Sequence, residues 1–159
     1  MSAPVRTAGR IALEEHAFFA GLDPAFLAAI ARDARIATFD AGAPILTEGE
    51  PADALFLVTA GKVALEIFAP DRPRRTIQTL GPGEVLGWSW LIPPHRWRLD
   101  GRAVKPTTAI ALQAATVRRA MEERPEDGYR LLLRLLPVIT QRLEHTRIQL
   151  LDLHGIDRA

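Results

Sequence analysis

The chain has 159 residues, of which 48% are hydrophobic and 25% charged, a balance typical of one ordinary soluble domain. It contains no cysteine, which excludes thiol catalysis, cysteine-based zinc sites and disulfide bonds. The 20 basic and 19 acidic residues leave a formal net charge of +1, so no overall field favours nucleic acid or an anionic membrane. The longest run without a charged residue, Pro106 to Val117, is well short of the roughly 20 residues of a membrane span. We therefore expect a cytoplasmic protein that makes no membrane contact.

The amino-terminal part of the chain predicts a tail and two short helices. Residues 1–10 lack periodicity, and we expect a flexible tail there, followed by a single domain over 11–153. The first helix carries Ile11, Leu13, Phe18 and Phe19. The second begins at Asp23-Pro24, because Asp is a good N-cap and Pro is favoured at the first helical position.

The pattern changes twice after these helices. From Arg35 to Gln113, short apolar runs are separated by turn residues about every eight to twelve positions, as in an antiparallel β sandwich or barrel. From residue 114 to about 153 the pattern is helical, with a break at Arg124-Pro125. The sequence therefore predicts a mainly β fold with helices before it and a long helix after it.

The long carboxy-terminal helix carries a heptad repeat, whose apolar positions are separated alternately by four and three residues. A second stripe, Leu131, Leu135 and Val138, is enough to pack the helix on the barrel. The heptad face is then left for a second copy, and we predict a homodimer; the alternative is a helix packed entirely within its own chain. The predicted interface is Leu132, Leu136, Ile139, Leu143, Leu150 and Leu153, with Thr146 as the one polar position of the repeat.

The stretch from Phe39 to Val63 resembles the opening strands of the cyclic-nucleotide-binding domain of the catabolite-activator type. The family has spaced glycines, which this chain shares. Each is expected at a turn that needs positive φ or a close backbone approach. The resemblance extends from about Phe18 to Leu153, and it implies a double-stranded β-helix, or jelly-roll, barrel. The glycines are Gly42, Gly49, Gly61 and Gly83.

The segment Gly81 to Leu91, continuing to Arg98, resembles the family's phosphate-binding cassette. In that family a Gly-Glu pair begins a short helix that receives the phosphate, the Glu holds the ribose hydroxyl, and a downstream Arg neutralises the phosphate. Here Trp88 follows Gly87, and counting back from Pro106 places Trp97 at the Arg position. The cassette is therefore degenerate.

The side of the strand on which each cassette residue lies follows from alternation. If residues 97–103 form one strand, Trp97 faces inward and Arg98 outward, unless a bulge between His95 and Leu99 inverts them. We therefore expect weak or absent binding of cyclic AMP and cyclic GMP. The candidate ligand-contacting residues are Gly87, Trp88, Ser89, Trp90, Arg96, Trp97 and Arg98.

The chain's three tryptophans, Trp88, Trp90 and Trp97, have two interpretations. They either form the wall of a pocket that stacks a flat or cationic ligand, or they fill a vacated nucleotide cavity. The four histidines are too scattered for a metal site, and no catalytic set of residues stands out. We expect no enzyme activity, no metal and no cofactor.

The resemblance implies a regulatory or sensor domain. Family members that regulate transcription carry a helix-turn-helix after the dimer helix, whereas this chain ends at Ala159, directly after that helix. We therefore expect a stand-alone domain that does not bind nucleic acid directly and that senses a small ligand or acts through a partner protein. Three hypotheses stay open: a sensor of an unidentified small ligand, a ligand-free interaction module, and a true cyclic nucleotide receptor.

Overall fold

The computed structural model describes residues 6–7 and 13–153, which form an antiparallel barrel between short helices and one long helix. This confirms the predicted fold class, a jelly-roll barrel flanked by helices. The strands are β1 (Arg6–Thr7), β2 (Arg35–Phe39), β3 (Pro44–Leu46), β4 (Ala54–Ile67), β5 (Arg75–Leu80), β6 (Val85–Leu86) and β7 (Asp100–Gln113). The helices are a 3-10 turn (Ala17–Phe19), α1 (Pro24–Ile30), α2 (Ala114–Glu123) and α3 (Pro125–Leu153).

The two longest strands, β4 and β7, pair with each other and organise the sheet. Its order is β1-β2-β7-β4-β5, and β3 and β6 add to β7 and β4. In the described residues every pairing is antiparallel. Leu65 pairs with Gly101 on β7 and with Gln78 on β5, so these three residues share one face. Because Leu65 is fully buried, that face is the inside of the barrel.

Gly61 allows the two long strands to cross closely where their register shifts. Its φ is +100°, and a Cβ added there would lie 2.5 Å from the Cα of Thr107. Only glycine fits such an approach. The other three glycines of the predicted pattern also have positive φ, which confirms the turn positions assigned from the sequence.

Helix α1 begins as predicted, with Asp23 as its N-cap. The carboxylate Oδ1 accepts hydrogen bonds from the backbone N–H groups of Ala25 (2.8 Å) and Phe26 (3.3 Å). Arg124 donates to the same oxygen at 3.0 Å and so connects α1 to the residue before α3. These two backbone hydrogen bonds, followed by the charge of Arg124, hold the pKa of Asp23 below its ordinary value.

The core lies inside the barrel and beneath the helices. Leu131 and Leu135 of α3 are 0% and 1% exposed, which confirms that this stripe packs on the rest of the chain. The predicted tail, residues 1–10, lies outside the described residues except for Arg6–Thr7, whose backbone pairs with β2. None of the helices within residues 6–7 and 13–153 combines the length and the apolar composition of a membrane-spanning segment.

Candidate functional site

The part of the cassette in which the resemblance implies a short helix begins after strand β6, at Gly87, which has a φ of +77°. The chain then makes two overlapping turns rather than a regular helix. The backbone N–H of Leu91 donates to the carbonyl of Trp88 at 3.0 Å, and that of Ile92 donates to Ser89 at 3.3 Å. The short helix that the resemblance implies is therefore reduced to turns at this position.

The side chain of Trp97 covers Gly87. A Cβ added to Gly87 would lie only 2.7 Å from Cζ3 of the indole, and Trp97 is 6% exposed. Two backbone hydrogen bonds hold Trp97 in place: its N–H donates to Glu50 at 2.9 Å, and its carbonyl accepts from Gly49 at 2.8 Å. The indole thus occupies the space over the glycine at which the resemblance places the nucleotide phosphate.

The arginines of the cassette lie on the outside of the barrel. Arg98 is exposed while Trp97 is buried, but β7 begins only at Asp100, so residues 97–99 do not form the strand on which the predicted alternation rested. Arg96 is also exposed, and its Nη1 donates to the carbonyl of Gly49 at 2.7 Å. Arg102, further along β7, donates through Nε to Glu66 at 3.0 Å. None of these three guanidinium groups enters the barrel.

Trp90 is completely buried, and its indole Nε1 has no hydrogen-bond partner. The backbone carbonyl of Trp90 accepts a hydrogen bond from Arg118 of α2, and Ser89 beside it is 8% exposed. Buried Trp90 and Trp97 match the interpretation in which indoles fill the vacated cavity. They are packing residues in this conformation, not an open pocket wall.

Trp88 is half-buried and contacts Arg142 of helix α3. The guanidinium carbon lies 4.4 Å from the centre of the Trp88 ring, a cation–π contact. Arg142 is only 5% exposed, and its Nε donates to Oε1 of Gln78 at 3.2 Å. Because Gln78 faces the inside of the barrel, α3 places a cation at the barrel interior.

The environment of Arg142 is unfavourable for its charge. Burial lowers the pKa of the guanidinium to about 10, and the nearby carboxylate of Glu84 offsets part of that effect. One terminal nitrogen, Nη2, is buried without a hydrogen-bond partner. The charge is therefore balanced by an aromatic ring and a neutral amide rather than by an ion pair.

The sequence analysis missed Arg142 and Gln78. A signal for Arg142 was available, because it follows Val138 by four residues and so continues the stripe of Leu131 and Leu135 that packs on the barrel. A charged residue on a buried helical stripe is uncommon, because such a residue is rarely buried without a partner for its charge. Gln78 gave no comparable signal, since its inward orientation depends on pairing with Leu65.

The predicted dimer positions on α3 form an exposed apolar face. Leu132, Leu136 and Leu143 are 39%, 54% and 59% exposed. Leu150 is 49% exposed, and Ile139 and Thr146 are half-buried. Leu153 ends the helix, but its side chain lies outside the described residues.

Among the described residues, surface cavities lie beside the barrel and between two helices. One of about 460 Å³ lies among β2, β3 and β4 and is lined by Phe39, Phe56, Asp40 and Asp53. The other, of about 390 Å³, lies between α2 and α3, beside Leu91 and Tyr129. In the part of the chain that the structure describes, no group of three histidine or acidic side chains is placed to hold a metal ion.

Residues 36–124, which include the barrel and α2, match the family described as the cyclic nucleotide-binding domain. The chain belongs to this family. The domain is also similar to a CRP-like cAMP-activated global transcriptional regulator of Mycobacterium tuberculosis, at 27% identity over 85% of the chain. This chain spans 58% of that regulator's length.

Two further similarities place the cyclic nucleotide-binding domain in different contexts. Glutaminase 1 of Bradyrhizobium diazoefficiens is 32% identical over 82% of the chain, which covers only 21% of that protein. A cyclic nucleotide-binding domain from Methylobacillus flagellatus has a TM-score of 0.75 at 22% identity, with 90% of this chain and 83% of that one covered. The second similarity supports the fold alone.

Proposed function

We propose that this cyclic nucleotide-binding domain is a regulatory module that does not use the family's phosphate contact and that signals as a homodimer through α3. The observation that carries the proposal is the packing of Trp97 on Gly87, where even a Cβ would lie 2.7 Å from the indole. The module is not an enzyme and needs no cofactor. It acts in the cytoplasm through a protein partner, without contacting nucleic acid or membrane itself.

The loss of ordinary nucleotide binding follows from the polar contacts that are missing. Trp88 stands where the resemblance places the ribose-binding Glu. Arg98, the residue after the position expected to hold the phosphate-binding Arg, is exposed outside the barrel. A hydrogen bond to a charged group contributes about 1.5–3 kcal/mol. Losing two such contacts lowers affinity by a factor of roughly 100 or more, and the bulk of two indoles lowers it further.

The dimer proposal is supported by the exposed apolar face of α3. Leu136 and Leu143 are more than half exposed, although their helix is anchored to the barrel by Leu131 and Leu135 on another face. Burying a leucine side chain stabilises an interface by about 1.5–3 kcal/mol. A symmetric pairing of two α3 helices would bury the heptad positions of both copies at once.

Sedimentation equilibrium at micromolar concentration tests the proposal. We expect a dimer for the unaltered chain and a monomer for Leu143→Asp, because a carboxylate at the seam meets apolar side chains of the second copy. Ile148→Asp is the matched control. Ile148 is 45% exposed and lies five residues after Leu143, on the opposite side of the helix from the seam, so this variant stays dimeric.

Two results would contradict the proposed function. A monomer for the unaltered chain rules out the dimer, and an unchanged dimer in Leu143→Asp places the interface elsewhere. The alternative, a true cyclic nucleotide receptor, is favoured by the similarity to a regulator named as cAMP-activated. Calorimetry, described in the Discussion, distinguishes that alternative from the proposal.

A further inference from the structure

The cavity among β2, β3 and β4 follows from the strand register of the sheet. Arg35 of β2 and Phe56 of β4 are both paired with Ala111 of the middle strand β7, so these side chains share one face. Leu55 and Leu112, which are paired with each other, alternate to the opposite face and are 0% exposed, so that face belongs to the core. The row of Ala111 therefore lies on the outer face, where an alanine between two larger side chains leaves a depression.

Two phenylalanines form an aromatic wall of this outer cavity. Phe39 of β2 and Phe56 of β4 contact each other edge to face, with ring centroids 6.2 Å apart and an angle of 74° between the ring planes. Both side chains are half-buried and line the cavity. In an edge-to-face pair the ring that contributes its edge keeps its own faces free of the other ring. The face of an aromatic ring is negative and attracts cations.

The charged side chains around the cavity are mainly acidic. Asp33, Asp40 and Asp53 line it, against one basic side chain, Arg35. The carboxylate of Asp33 accepts a hydrogen bond from the hydroxyl of Thr116 at 2.9 Å. Within residues 6–7 and 13–153, no ion pair engages Asp40 or Asp53. An aromatic wall beside unpaired carboxylates favours a ligand that is positively charged and partly apolar.

We propose that the outer cavity binds a small organic cation, an amine or a quaternary ammonium compound with an apolar body. The volume of about 460 Å³ falls within the range of roughly 300–1,000 Å³ of small-molecule sites. Phe39 and Phe56 contact the apolar body and the cation, and Asp40 and Asp53 supply the negative charge. Within the described residues, the lining includes no residue of the cassette or of α3. The inference therefore goes beyond the proposed function and does not depend on it.

Methyl NMR of the full chain with ¹³C-labelled alanine tests the site, because Ala37, Ala54 and Ala111 line the cavity. Benzylamine and benzyltrimethylammonium are the cationic probes, and benzyl alcohol is a neutral probe of similar shape. At pH 7 and constant ionic strength, we expect the cations to shift these methyl signals saturably, with half-saturation at about 1–10 mM. Benzyl alcohol binds at least about threefold more weakly. The methyl signal of Ala64, buried on β4 outside the lining, does not move.

A double substitution tests the contribution of the carboxylates. In Asp40→Asn/Asp53→Asn two negative charges are removed from the cavity, and we expect the affinity for benzylamine to fall about three- to tenfold. The matched control, Asp71→Asn/Glu123→Gln, removes the same charge from exposed positions outside the lining. This control titrates like the unaltered chain, because screened charges far from the probe contribute little to its binding.

A second pair of variants tests the aromatic wall. Phe56→Leu keeps an apolar side chain but removes the ring, and we expect the affinity for benzyltrimethylammonium to fall at least about threefold. Phe68→Leu is the matched control, because Phe68 is 57% exposed and lies outside the lining. This variant binds the quaternary probe as the unaltered chain does.

The proposal is overturned if the cations do not shift the alanine methyl signals of the cavity saturably, or if benzyl alcohol binds as tightly as they do. It is also overturned if Asp40→Asn/Asp53→Asn binds benzylamine like the unaltered chain. The comparison of charged and neutral probes needs only the unaltered chain, so it tests the site even if a variant does not fold. Sedimentation without a probe measures the dimer separately. Absence of the cation site with an intact dimer therefore refutes this inference and leaves the proposed function standing.

Discussion

The indole of Trp97 lies directly on the α-carbon of Gly87, ten positions earlier in the chain. Because the indole packs against Gly87, we expect that adding one methyl group there lowers the stability of the fold strongly. For Gly87→Ala we expect a loss of about 2–5 kcal/mol in the free energy of unfolding, because the cost of a positive φ is added to the cost of overpacking against the indole. Urea denaturation at fixed protein concentration measures the loss.

Gly83→Ala is the control for this substitution. Gly83 has a φ of +88°, but a Cβ there would meet nothing within 4 Å. We expect a loss of only about 1–2 kcal/mol, the backbone contribution alone. Equal losses in the two variants would show that Trp97 moves aside without cost and does not seal the site.

Isothermal calorimetry with cyclic AMP and cyclic GMP tests the consequence for nucleotide binding. Because Trp97 covers Gly87 and Arg98 points outward, we expect no binding heat at micromolar protein. The M. tuberculosis regulator, named as cAMP-activated, is the positive control. A dissociation constant below about 10 μM, equivalent to roughly −7 kcal/mol, would contradict the prediction.

Intrinsic fluorescence reports on the burial of the indoles. Trp90 is 0% exposed and Trp97 6% exposed, so we expect emission blue-shifted from that of free tryptophan in water. Acrylamide should quench a variant that keeps only half-buried Trp88 more strongly than a variant that keeps only Trp90. Water-like emission from the unaltered chain, or equal quenching, would place the indoles at the surface.

Because the charge of Arg142 is buried, we expect that replacing this residue by an apolar one raises the free energy of unfolding, by an amount that depends on pH. Its pKa is about 10 in the folded chain, well below its ordinary value, so keeping the charge buried costs roughly 3 kcal/mol at neutral pH. Arg142→Met loses the hydrogen bond to Gln78, worth about 1 kcal/mol, yet we expect it to be more stable by about 1–2 kcal/mol at pH 7.

The sign of the pH effect follows from the lowered pKa. Above about pH 10 the folded chain releases this proton at pH values where the unfolded chain still holds it, so the unfolded state binds more protons. The stability of the unaltered chain relative to Arg142→Met therefore rises with pH above about 10, by at most about 1.4 kcal/mol per pH unit. Denaturation of both proteins from pH 7 to 11 measures the difference, and a constant difference contradicts the buried charge.

The sequence by itself determined the order of elements, the turns and the faces of the last helix. Turn glycines, the Asp23-Pro24 helix start and the heptad spacing are local signals, since each depends on backbone preference or on a period of two to four residues. The strand predicted over residues 97–103 was wrong at its start, because β7 begins at Asp100; Arg98 is nevertheless exposed.

Only the tertiary structure decided what fills the barrel. Trp97 meets Gly87 because residues 95–97 pair with the segment around Glu50, and Arg142 meets Trp88 because α3 packs across the barrel. Both contacts join segments whose separation depends on strand register and on helix packing. The period of α3 indicates that Arg142 is buried, but no period identifies the partner in either contact, because side chains brought together by long-range pairing need only complementary shape and charge.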